Sequence, residues 1–473
     1  MIKQTPFGGN SADMGLAFAR DVQLLFDVAE DGTLSQGRQR RTLGPLRTET
    51  EEFEMIPANV EHHSVLMLHM TGNANVRESA LALYEAGMLA GFHTTIAWQS
   101  GSTLDRLFPG SVRSELARRS FPGIEPELIH THPWREVMRL IAVRMGWRSL
   151  FGRETSPFSP DSICAVVDGI AARALARGPV PDAVYALDNC ALRTFAAAKR
   201  CGVRCIYELP IGHYRAFQRI AEEERELRPE WATTLTGIQD SPELLARKDL
   251  ELANAESIVV ASSFTARTLK SYPGPLTSQI SLVPYGAPPV GPPRQPTRRE
   301  APLRVMYAGS IGQRKGIAYL IEAVDQLQVP YMLTLLGRPV AKPPAMKNAL
   351  SRHRWIESAP HTKVLELMRE HDVLVFPSLF EGFGLVILEA MAQGTVVIAT
   401  PNTAAPDLFD DGRDGYIVQI RSAEAIAQRL TKLAEDRYLL HSMGEAARQT
   451  AARYSWKQFR QRWIAAIRNS LGC

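Results

Sequence analysis

The sequence of 473 residues has few cysteines, no long apolar run and almost no excess of one charge. Its five cysteines are Cys164, Cys190, Cys201, Cys205 and Cys473. They are odd in number and lack the paired spacing of a zinc site, so we expect buried, reduced thiols. Apolar stretches such as Val373–Phe376 fall far short of the ~20 residues of a membrane-spanning helix. The N-terminus has no charged-then-apolar secretory pattern, which predicts a cytoplasmic protein.

The overall composition is that of an ordinary soluble protein. Hydrophobic residues make up 45% and charged residues 22% of the chain, which excludes disordered and collagen-like classes. The 54 basic residues barely outnumber the 50 acidic ones, so the charge gives no reason to expect nucleic acid as a partner. At roughly 100–200 residues per domain, the length predicts two or three domains.

The first part of the chain combines a polar segment with an alternating one. Residues 1–60 are polar and irregular, and we interpret them as an extension with a short helix near Met14–Ala29. From residue 61 onwards, apolar runs of strand length alternate with helical patterns. The first strand is expected at Val65–His69, followed by a helix that ends at Gly91 and a second strand at Thr94–Trp98.

A proline-rich segment divides the alternating pattern. Residues 286–302 contain six prolines in 17 residues, which no helix or central strand tolerates, so we interpret them as a linker. The alternation starts afresh at Leu303. The sequence therefore predicts an α/β protein with two doubly wound, Rossmann-like domains facing each other across a cleft, at 61–290 and 303–454. Ligands then belong at the carboxyl ends of the strands.

The most specific motif is a glycine-containing turn flanked by two glutamates. Glu381 precedes Gly382 and Gly384 after a predicted strand, and Glu389 follows in the helix that the turn opens. Free N–H groups at such a turn suit an anion or ligand hydroxyls, and carboxylates can hold vicinal hydroxyls. The alternative is that Glu381 merely caps the helix and Glu389 is a solvated surface charge.

A second turn carries two adjacent cations. Gly309, Gly312 and Gly316 follow the strand that begins at Leu303, and they surround Arg314-Lys315. Two cations at a strand end could neutralise a diphosphate without a metal. The pattern matches neither a Walker loop nor a clean Gly-x-Gly-x-x-Gly, and a surface turn is the alternative.

The motifs of the second unit occur in a recognisable order. They are Gly309, Arg314–Gly316, Leu336–Gly337, Phe376–Ser378, Glu381–Leu385, Glu389–Ala392, Gly394–Ala399, Asp411–Val418 and Tyr454–Trp456. Together they resemble glycosyltransferase family 4, over essentially all of residues 303–456. The resemblance implies the GT-B fold, a nucleotide-sugar donor and transfer with retention. It also implies that the last helix, within 455–473, crosses back to the N-terminal domain, as its apolar side indicates.

The resemblance assigns roles to particular residues. Glu381 would contact the transferred sugar, and Glu389 would bind the ribose hydroxyls. Lys315, supported by Arg314, would hold the diphosphate and act in catalysis. The backbone positions implied at the donor are Gly309, Gly312, Gly337, Gly382, Phe383, Gly384 and Leu385. The chain departs from the family pattern at Ser310, Val396 and Ala404–Ala405, where an arginine, a proline and a Gly-Gly pair are usual.

The N-terminal unit offers fewer candidates. Many family members have a histidine at a strand end that contacts the donor sugar, and here the corresponding stretch carries Glu208 and, after a turn, His213. We expect both to line the acceptor side. The alternative is that His213 is merely a loop histidine and that Glu208 is a structural partner of Arg215. His62, His63, His130 and His132 form no metal site, because no carboxylate cluster completes a ligand set.

One segment of the N-terminal unit is amphipathic and basic. From Trp134 to Arg153 it contains five arginines and Glu136 as its one acidic residue. It could lie on an anionic membrane surface, with its tryptophans at the headgroup level. The alternative is a packed helix with a basic solvated face.

The sequence thus predicts a metal-independent, retaining glycosyltransferase. Its donor would be a UDP-, GDP- or ADP-sugar, and its acceptor a hydroxyl group of a glycan, glycolipid or small molecule, with no further cofactor. Two alternatives remain open: a glycosyl phosphorylase of the same fold, and a sugar- or nucleotide-binding protein without catalysis. A phosphorylase usually needs a pyridoxal phosphate lysine, for which no matching context exists.

Overall fold

A computed structural model describes residues 63–99, 113, 116–235, 240–296, 298 and 300–472. The predicted extension at 1–60 with its helix near Met14–Ala29, together with His62 and Cys473, lies outside these residues. Two parallel sheets form the framework of the described chain.

The first sheet contains seven strands. They are β1 Val65–Leu68, β2 Leu89–Thr94, β3 Ile129–Thr131, β4 Ala183–Leu187, β5 Arg204–Leu209, β6 Ser257–Val260 and β7 Gln279–Leu282. Their order is β3-β2-β1-β4-β5-β6-β7, and each neighbouring pair is parallel. The central strands are buried on both faces and therefore read as continuous apolar runs.

Helices cover both faces of this sheet. They are α1 Ala74–Glu85, α2 Pro133–Met145, α3 Arg148–Phe151, α4 Pro160–Arg177, α5 Leu192–Arg200, α6 Tyr214–Leu227, α7 Pro242–Asn254 and α8 Ser263–Thr268. Several of them start at sequence-encoded caps. Ser159 and Ser241 accept hydrogen bonds from the amides three residues on, and a proline follows each as the first helical residue.

The prediction for the second strand is wrong. Helix α1 ends at Glu85, and the strand is Leu89–Thr94 rather than Thr94–Trp98. Gly87 adopts φ +66°, which breaks the helix early, so Leu89 begins a buried strand instead of completing a helical face. Gly91, expected as the helix end, pairs within that strand with Leu66.

The second sheet contains six parallel strands. They are β8 Leu303–Ala308, β9 Tyr331–Leu336, β10 Arg354–Ile356, β11 Val373–Phe376, β12 Val396–Ala399 and β13 Tyr416–Ile417. Their order is β10-β9-β8-β11-β12-β13. The helices are α9 Ile317–Asp325, α10 Pro344–Arg352, α11 His361–Glu370, α12 Leu385–Ala392, α13 Ala405–Leu408, α14 Ala423–Glu435, α15 Arg437–Ala451 and α16 Trp456–Leu471.

The last helix packs on the first sheet, as predicted. Phe459, Trp463 and Ile467 of α16 are buried in the hydrophobic core that includes β1 and β4. The indole ring of Trp463 meets the Tyr185 ring edge-on, with 5.0 Å between centroids. Helix α16 begins with a capping box between Ser455 and Gln458. The end of the chain therefore completes the core of the first sheet.

A second link between the two sheets comes from the segment after β5. Helix α6 is followed by a 3₁₀ helix, Pro229–Thr234. Trp231 in this turn is buried in the core of the second sheet, although it precedes the linker by more than 50 residues in sequence. Residues 283–302 run between the sheets without a helix or named strand in their described part.

The four cysteines of the described chain are free thiols, but not all of them are buried. Cys164, Cys190 and Cys205 are buried free thiols, as expected. Cys201 is exposed, which corrects the expectation for that residue. It lies at the C-terminal end of α5, where the chain turns outward before Gly202 at φ +71°.

Candidate functional site

A cavity of about 300 Å³ lies where the carboxyl ends of the two sheets meet. Its lining residues are Asn73, Asn75, Pro210, Tyr285, Ala308, Gly309, Lys315, Phe376, Glu381, Phe383, Gly384, Leu385 and Val386. We refer to it as the inter-sheet cavity. It thus draws together residues from both predicted turns and from the N-terminal unit. This is where ligands of doubly wound folds are expected.

Lys315 is the cation of the inter-sheet cavity. It ends a one-turn 3₁₀ helix, Gln313–Lys315, and its ammonium forms an ion pair with Glu381. The ammonium also lies 4.8 Å from the centroid of the Phe376 ring. Burial, followed by the neighbouring charge of Arg314, lowers the pKa of Lys315 well below its usual value. A phosphate placed here would meet a poorly solvated cation.

Arg314 approaches the same Glu381 oxygen as Lys315 does. Its Nη1 donates to the Phe380 carbonyl oxygen at 2.9 Å and lies 3.5 Å from Glu381 Oε2. Its side chain lines a neighbouring cavity rather than the inter-sheet cavity. The two adjacent cations, which the sequence assigned to one diphosphate, therefore share one carboxylate oxygen but line two different cavities.

The glycine turn after β11 is shaped by close backbone contacts. A Cβ at Gly382 would overlap the Pro210 carbonyl, and Gly384 adopts φ +85° as the N-cap residue of α12. The Gly382 carbonyl accepts hydrogen bonds from the hydroxyls of Ser262 at 2.5 Å and Thr265 at 3.0 Å. These contacts fix the N-terminus of α12 at the inter-sheet cavity.

Glu389 lies on α12, one turn beyond the cavity lining. Its Oε1 is 2.9 Å from His361 Nε2 at the start of α11. This hydrogen bond raises the pKa of His361 above its usual value. The contact with His361 was missed, because nothing in the spacing of the sequence connects the start of α11 with α12.

The remaining predicted glycines differ in position. Gly309, at φ +141°, lines the inter-sheet cavity. Gly337, at φ +144°, packs directly on Gly309. A Cβ at Gly337 would overlap the Gly309 carbonyl. Gly312 has an extended backbone that any residue could adopt, and it contacts Val340 rather than the cavity.

Three cavity residues from the N-terminal unit were missed. Asn73 and Asn75 lie at the start of α1, so the N-terminus of a second helix meets the inter-sheet cavity. Tyr285 follows the last strand of the first sheet, and its ring packs against Phe383 at 4.9 Å. The turn-like Thr71-Gly72, directly after the first strand, is the sequence feature that could have pointed to the two asparagines.

Glu208 lies behind this lining. It is buried at the end of β5, with one carboxylate oxygen 3.4 Å from the Tyr285 hydroxyl and the other 3.5 Å from His69 Nε2. Burial raises the pKa of Glu208 to about 7 and lowers the pKa of His69 to about 3. Near neutral pH the imidazole is therefore uncharged, so its contact with Glu208 is not a full ion pair.

His213 occupies the second cavity instead. This cavity, of about 370 Å³, is lined by Asp188, Leu209, Ile211, Gly212, His213, Tyr214, Phe217, Asp240, Lys248, Leu252, Arg314 and Phe380. Burial lowers the pKa of His213 to about 4, and its Nδ1 accepts a hydrogen bond from the Arg215 amide. The structure thus separates the two residues: Glu208 lies behind the lining of the inter-sheet cavity, and His213 lines the second cavity.

Two further sequence features can be located. His130 and His132 lie beside His93, whose Nδ1 is 3.0 Å from His132 Nε2. Among the described residues, no group of three or more His, Cys, Asp or Glu side chains is arranged to hold a metal ion. None of the helices in the described ranges is both long and apolar enough to cross a bilayer.

The second unit matches a known family. Residues 293–450 fit the family model described as "Glycosyl transferases group 1". The C-terminal domain is thus similar to group 1 glycosyltransferases over almost its whole length. The match covers about a third of the chain and includes both turns that line the inter-sheet cavity.

Curated relatives of the chain are distant and are matched only in part. The chain is 29% identical over 178 residues to D-inositol 3-phosphate glycosyltransferase of Corynebacterium urealyticum, covering 34% of this chain and 42% of that protein. It is 26% identical over 271 residues to alpha-maltose-1-phosphate synthase of Mycolicibacterium smegmatis, covering 51% and 70%. For the first relatives matched, the alignments span less than half of their length.

Solved structures extend the likeness to the whole fold. HepE of Anabaena, solved with UDP and glucose, superposes with a TM-score of 0.56 over 86% of this chain and 100% of that one, at 16% identity. Sucrose-phosphate synthase of Thermosynechococcus elongatus gives a TM-score of 0.54 at 17% identity. The predicted GT-B fold, with two α/β domains and a returning helix, is confirmed.

Proposed function

We propose that the protein is a glycosyltransferase that moves a sugar from a nucleoside diphosphate to a hydroxyl acceptor, with retention. One observation carries the proposal. Lys315 and the N-termini of α1 and α12 converge on one cavity, with the Glu381 carboxylate beside them. A diphosphate needs the positive groups, and a sugar ring needs an acceptor for its hydroxyl protons.

The roles follow from where charge changes during transfer. Negative charge builds on the β-phosphate as the bond to the anomeric carbon breaks, and fixed positive groups then stabilise the transition state. Lys315 and the two helix N-termini supply them. The Lys315–Glu381 ion pair opens when the donor enters, so that Glu381 can accept hydrogen bonds from the sugar.

The donor is proposed to be a UDP-sugar, with GDP- and ADP-sugars as the other members of the class. HepE was solved with UDP and glucose, and its fold superposes over most of this chain, which supports the choice. Glu389 binds the ribose hydroxyls in this scheme, in exchange for its hydrogen bond with His361. We propose that no metal ion takes part.

The acceptor side is proposed to lie on the N-terminal domain. Glu208 supports the cavity lining from behind, through Tyr285. The second cavity, with His213 and Arg314, presents both acidic and basic groups together with the aromatic rings of Tyr214 and Phe217. Such a mixed lining suits a hydroxyl-rich acceptor, as part of a glycan, a glycolipid or a small molecule.

Titration of the full chain with UDP, GDP and ADP tests the donor site. We expect one of them to bind, and Glu389→Ala to weaken it by roughly tenfold to a hundredfold, since hydrogen bonds to a charged group contribute about 1.5–3 kcal/mol. The matched control is Glu366→Ala, an exposed glutamate on α11 that pairs with Lys363. Unchanged affinity in Glu389→Ala, or no binding of any nucleotide, would contradict the proposal.

A further inference from the structure

A buried carboxylate of the N-terminal domain lies next to the turn that carries Lys315. Glu224, on α6, is fully buried against the C-terminal domain. Its Oε1 accepts hydrogen bonds from Gln313 Nε2 at 2.6 Å and from the Tyr319 hydroxyl at 2.8 Å. Its Oε2 accepts one from Arg421 Nε at 2.8 Å. All three donors belong to the C-terminal domain.

Gln313 transmits this contact to the turn. It is fully buried and stands directly before Arg314 and Lys315. Its backbone N–H donates to the Thr234 hydroxyl at 2.9 Å, and its side-chain oxygen accepts from the Ala318 amide at 3.1 Å. Gln313 therefore joins the N-terminal domain, the 3₁₀ turn and the start of α9.

The turn has little rigidity of its own. It consists of three residues between Gly312 and Gly316, and so short a 3₁₀ helix between glycines gains little from local structure. Burying a carboxylate is costly unless its oxygens accept hydrogen bonds from well-placed donors. Here the Glu224 carboxylate accepts hydrogen bonds from three donors. One of them, Gln313, directly precedes Arg314 and Lys315.

We propose that Glu224 is a positioning residue, which holds Lys315 at the inter-sheet cavity by way of Gln313. The inference rests on the proposed function, because it assigns Glu224 a part in placing the donor's diphosphate. The N-terminal domain thereby contributes to the donor site through α6 as well as through the cavity lining. Misplacing a reacting group by about 1 Å can cost about a hundredfold in rate.

The test measures nucleotide affinity and turnover of full-length Glu224→Ala. We expect turnover to fall by about tenfold to a hundredfold, and Glu224→Gln to restore part of it, because an amide oxygen still accepts from Gln313. The matched control is Glu322→Ala. Glu322 pairs with Arg228 across the same interface but does not contact the Gln313 turn in the described structure. We expect that variant to stay within about twofold.

A double-mutant cycle separates positioning from general destabilisation. If Glu224 acts through Lys315, Glu224→Ala should have almost no further effect in a Lys315→Ala background. An equal loss in both backgrounds, or unchanged turnover and affinity in folded Glu224→Ala, would overturn the inference. If Glu224→Ala does not fold, Gln313→Ala takes its place in the cycle with the same expectations.

The cycle also distinguishes this inference from the proposed function. A parent protein that binds no nucleotide and transfers no sugar refutes the proposed function, and the positioning role with it. A parent protein that binds UDP, GDP or ADP and turns over, while the Glu224 variants behave like Glu322→Ala, refutes the positioning role alone.

Discussion

Two opposing effects act on the protonation of Lys315. Burial and the charge of Arg314 disfavour its ammonium, whereas the ion pair with Glu381 favours it. A diphosphate that displaces Glu381 would supply two negative groups in place of one. In the proposed mechanism, the free protein thus holds the ammonium at the position where the leaving group develops charge.

Replacing Lys315 tests this role at the scale of one residue. We expect Lys315→Ala to lower kcat by roughly 10²–10³, as loss of one preorganised charge typically does. Steady-state kinetics with the preferred donor measure it, and the melting temperature checks that the fold persists. An unchanged kcat would show that other groups stabilise the leaving phosphate.

Glu208 gives a pH-dependent prediction. Its folded-state pKa of about 7 lies above its usual value of 4.5, so the folded state binds the proton more tightly than the unfolded state does. The resulting stability is fully present below pH 4.5 and is lost as the pH rises through about 7. The side chain of Glu208→Gln does not titrate, so the variant lacks this pH dependence. The free energy of unfolding of the parent should therefore fall relative to that of the variant between pH 5 and pH 8.

Urea unfolding of both proteins at pH 5 and pH 8 measures the difference. The exposed Glu366 provides the control, because Glu366→Gln should show the same difference from the parent at both pH values. A gap between parent and Glu208→Gln that stays constant, or that changes in the opposite direction, would show that Glu208 does not hold its proton in the folded state.

At the scale of elements, the returning helix α16 completes the core of the N-terminal domain. Trp463 is 1% exposed and packs on Tyr185. We expect Trp463→Ala to reduce the free energy of unfolding by about 3–5 kcal/mol, the usual cost of removing a buried aromatic ring. Chemical denaturation measures it. The control is Tyr438→Ala, at a tyrosine that is 83% exposed, which should change stability by less than about 0.5 kcal/mol.

The basic, amphipathic segment at 134–153 forms helices α2 and α3, and we propose it as the part of the chain that contacts membranes. Trp134 is 53% and Trp147 46% exposed, and Arg144 and Arg148 are exposed beside them. Glu136, in contrast, is buried and pairs with Arg139 and Arg119, which leaves fewer of the basic charges to the surface than the sequence indicates. The exposed part still combines tryptophans with positive charge, as interfacial helices do.

Vesicles of phosphatidylglycerol and phosphatidylcholine test this contact. We expect the protein to sediment with the anionic vesicles, and the double variant Arg144→Glu/Arg148→Glu to bind roughly tenfold or more weakly. Arg173→Glu/Arg177→Glu on α4 changes the net charge equally at another exposed site. Equal binding by both double variants would contradict a specific role for the segment at 134–153.

Elements that can be predicted from the sequence differ from the others in how apolar and how buried they are. Buried strands such as β8 and β11 are short apolar runs, so their existence and approximate bounds were predictable. Strand β3 has only three residues, of which His130 and Thr131 are exposed, so it contains no such run. Helix α6 is rich in charge, and its buried Glu224 looks like a surface residue in the sequence.

At the scale of the whole molecule, the site depends on how the two domains meet. The sequence indicated Lys315, Glu381 and the glycine turn, because each follows a strand of one domain. It did not indicate Asn75 or Tyr285, which reach the inter-sheet cavity from the other domain. Nor could it separate Glu208 from His213, because the path of the chain after β5 places Glu208 behind the inter-sheet cavity and His213 in the second cavity.

The two domains are held together by more than the linker. The Gly382 carbonyl binds Ser262, Glu224 binds three donors of the C-terminal domain, and α16 returns to the first sheet. The inter-sheet cavity is thus lined by both domains, although the turns that carry Lys315 and Gly382 belong to the C-terminal one. Domain contacts and donor binding are therefore expected to influence each other.

The most direct test of the account is release of a nucleoside diphosphate by the full-length protein. The protein is incubated with UDP-, GDP- and ADP-sugars in the presence of EDTA, with water or added glycans as the hydroxyl acceptor. The account predicts release from at least one donor, undiminished by EDTA and slowed roughly 10²–10³-fold in Lys315→Ala. No release from any donor, or release that strictly requires Mn²⁺ or Mg²⁺, would contradict it.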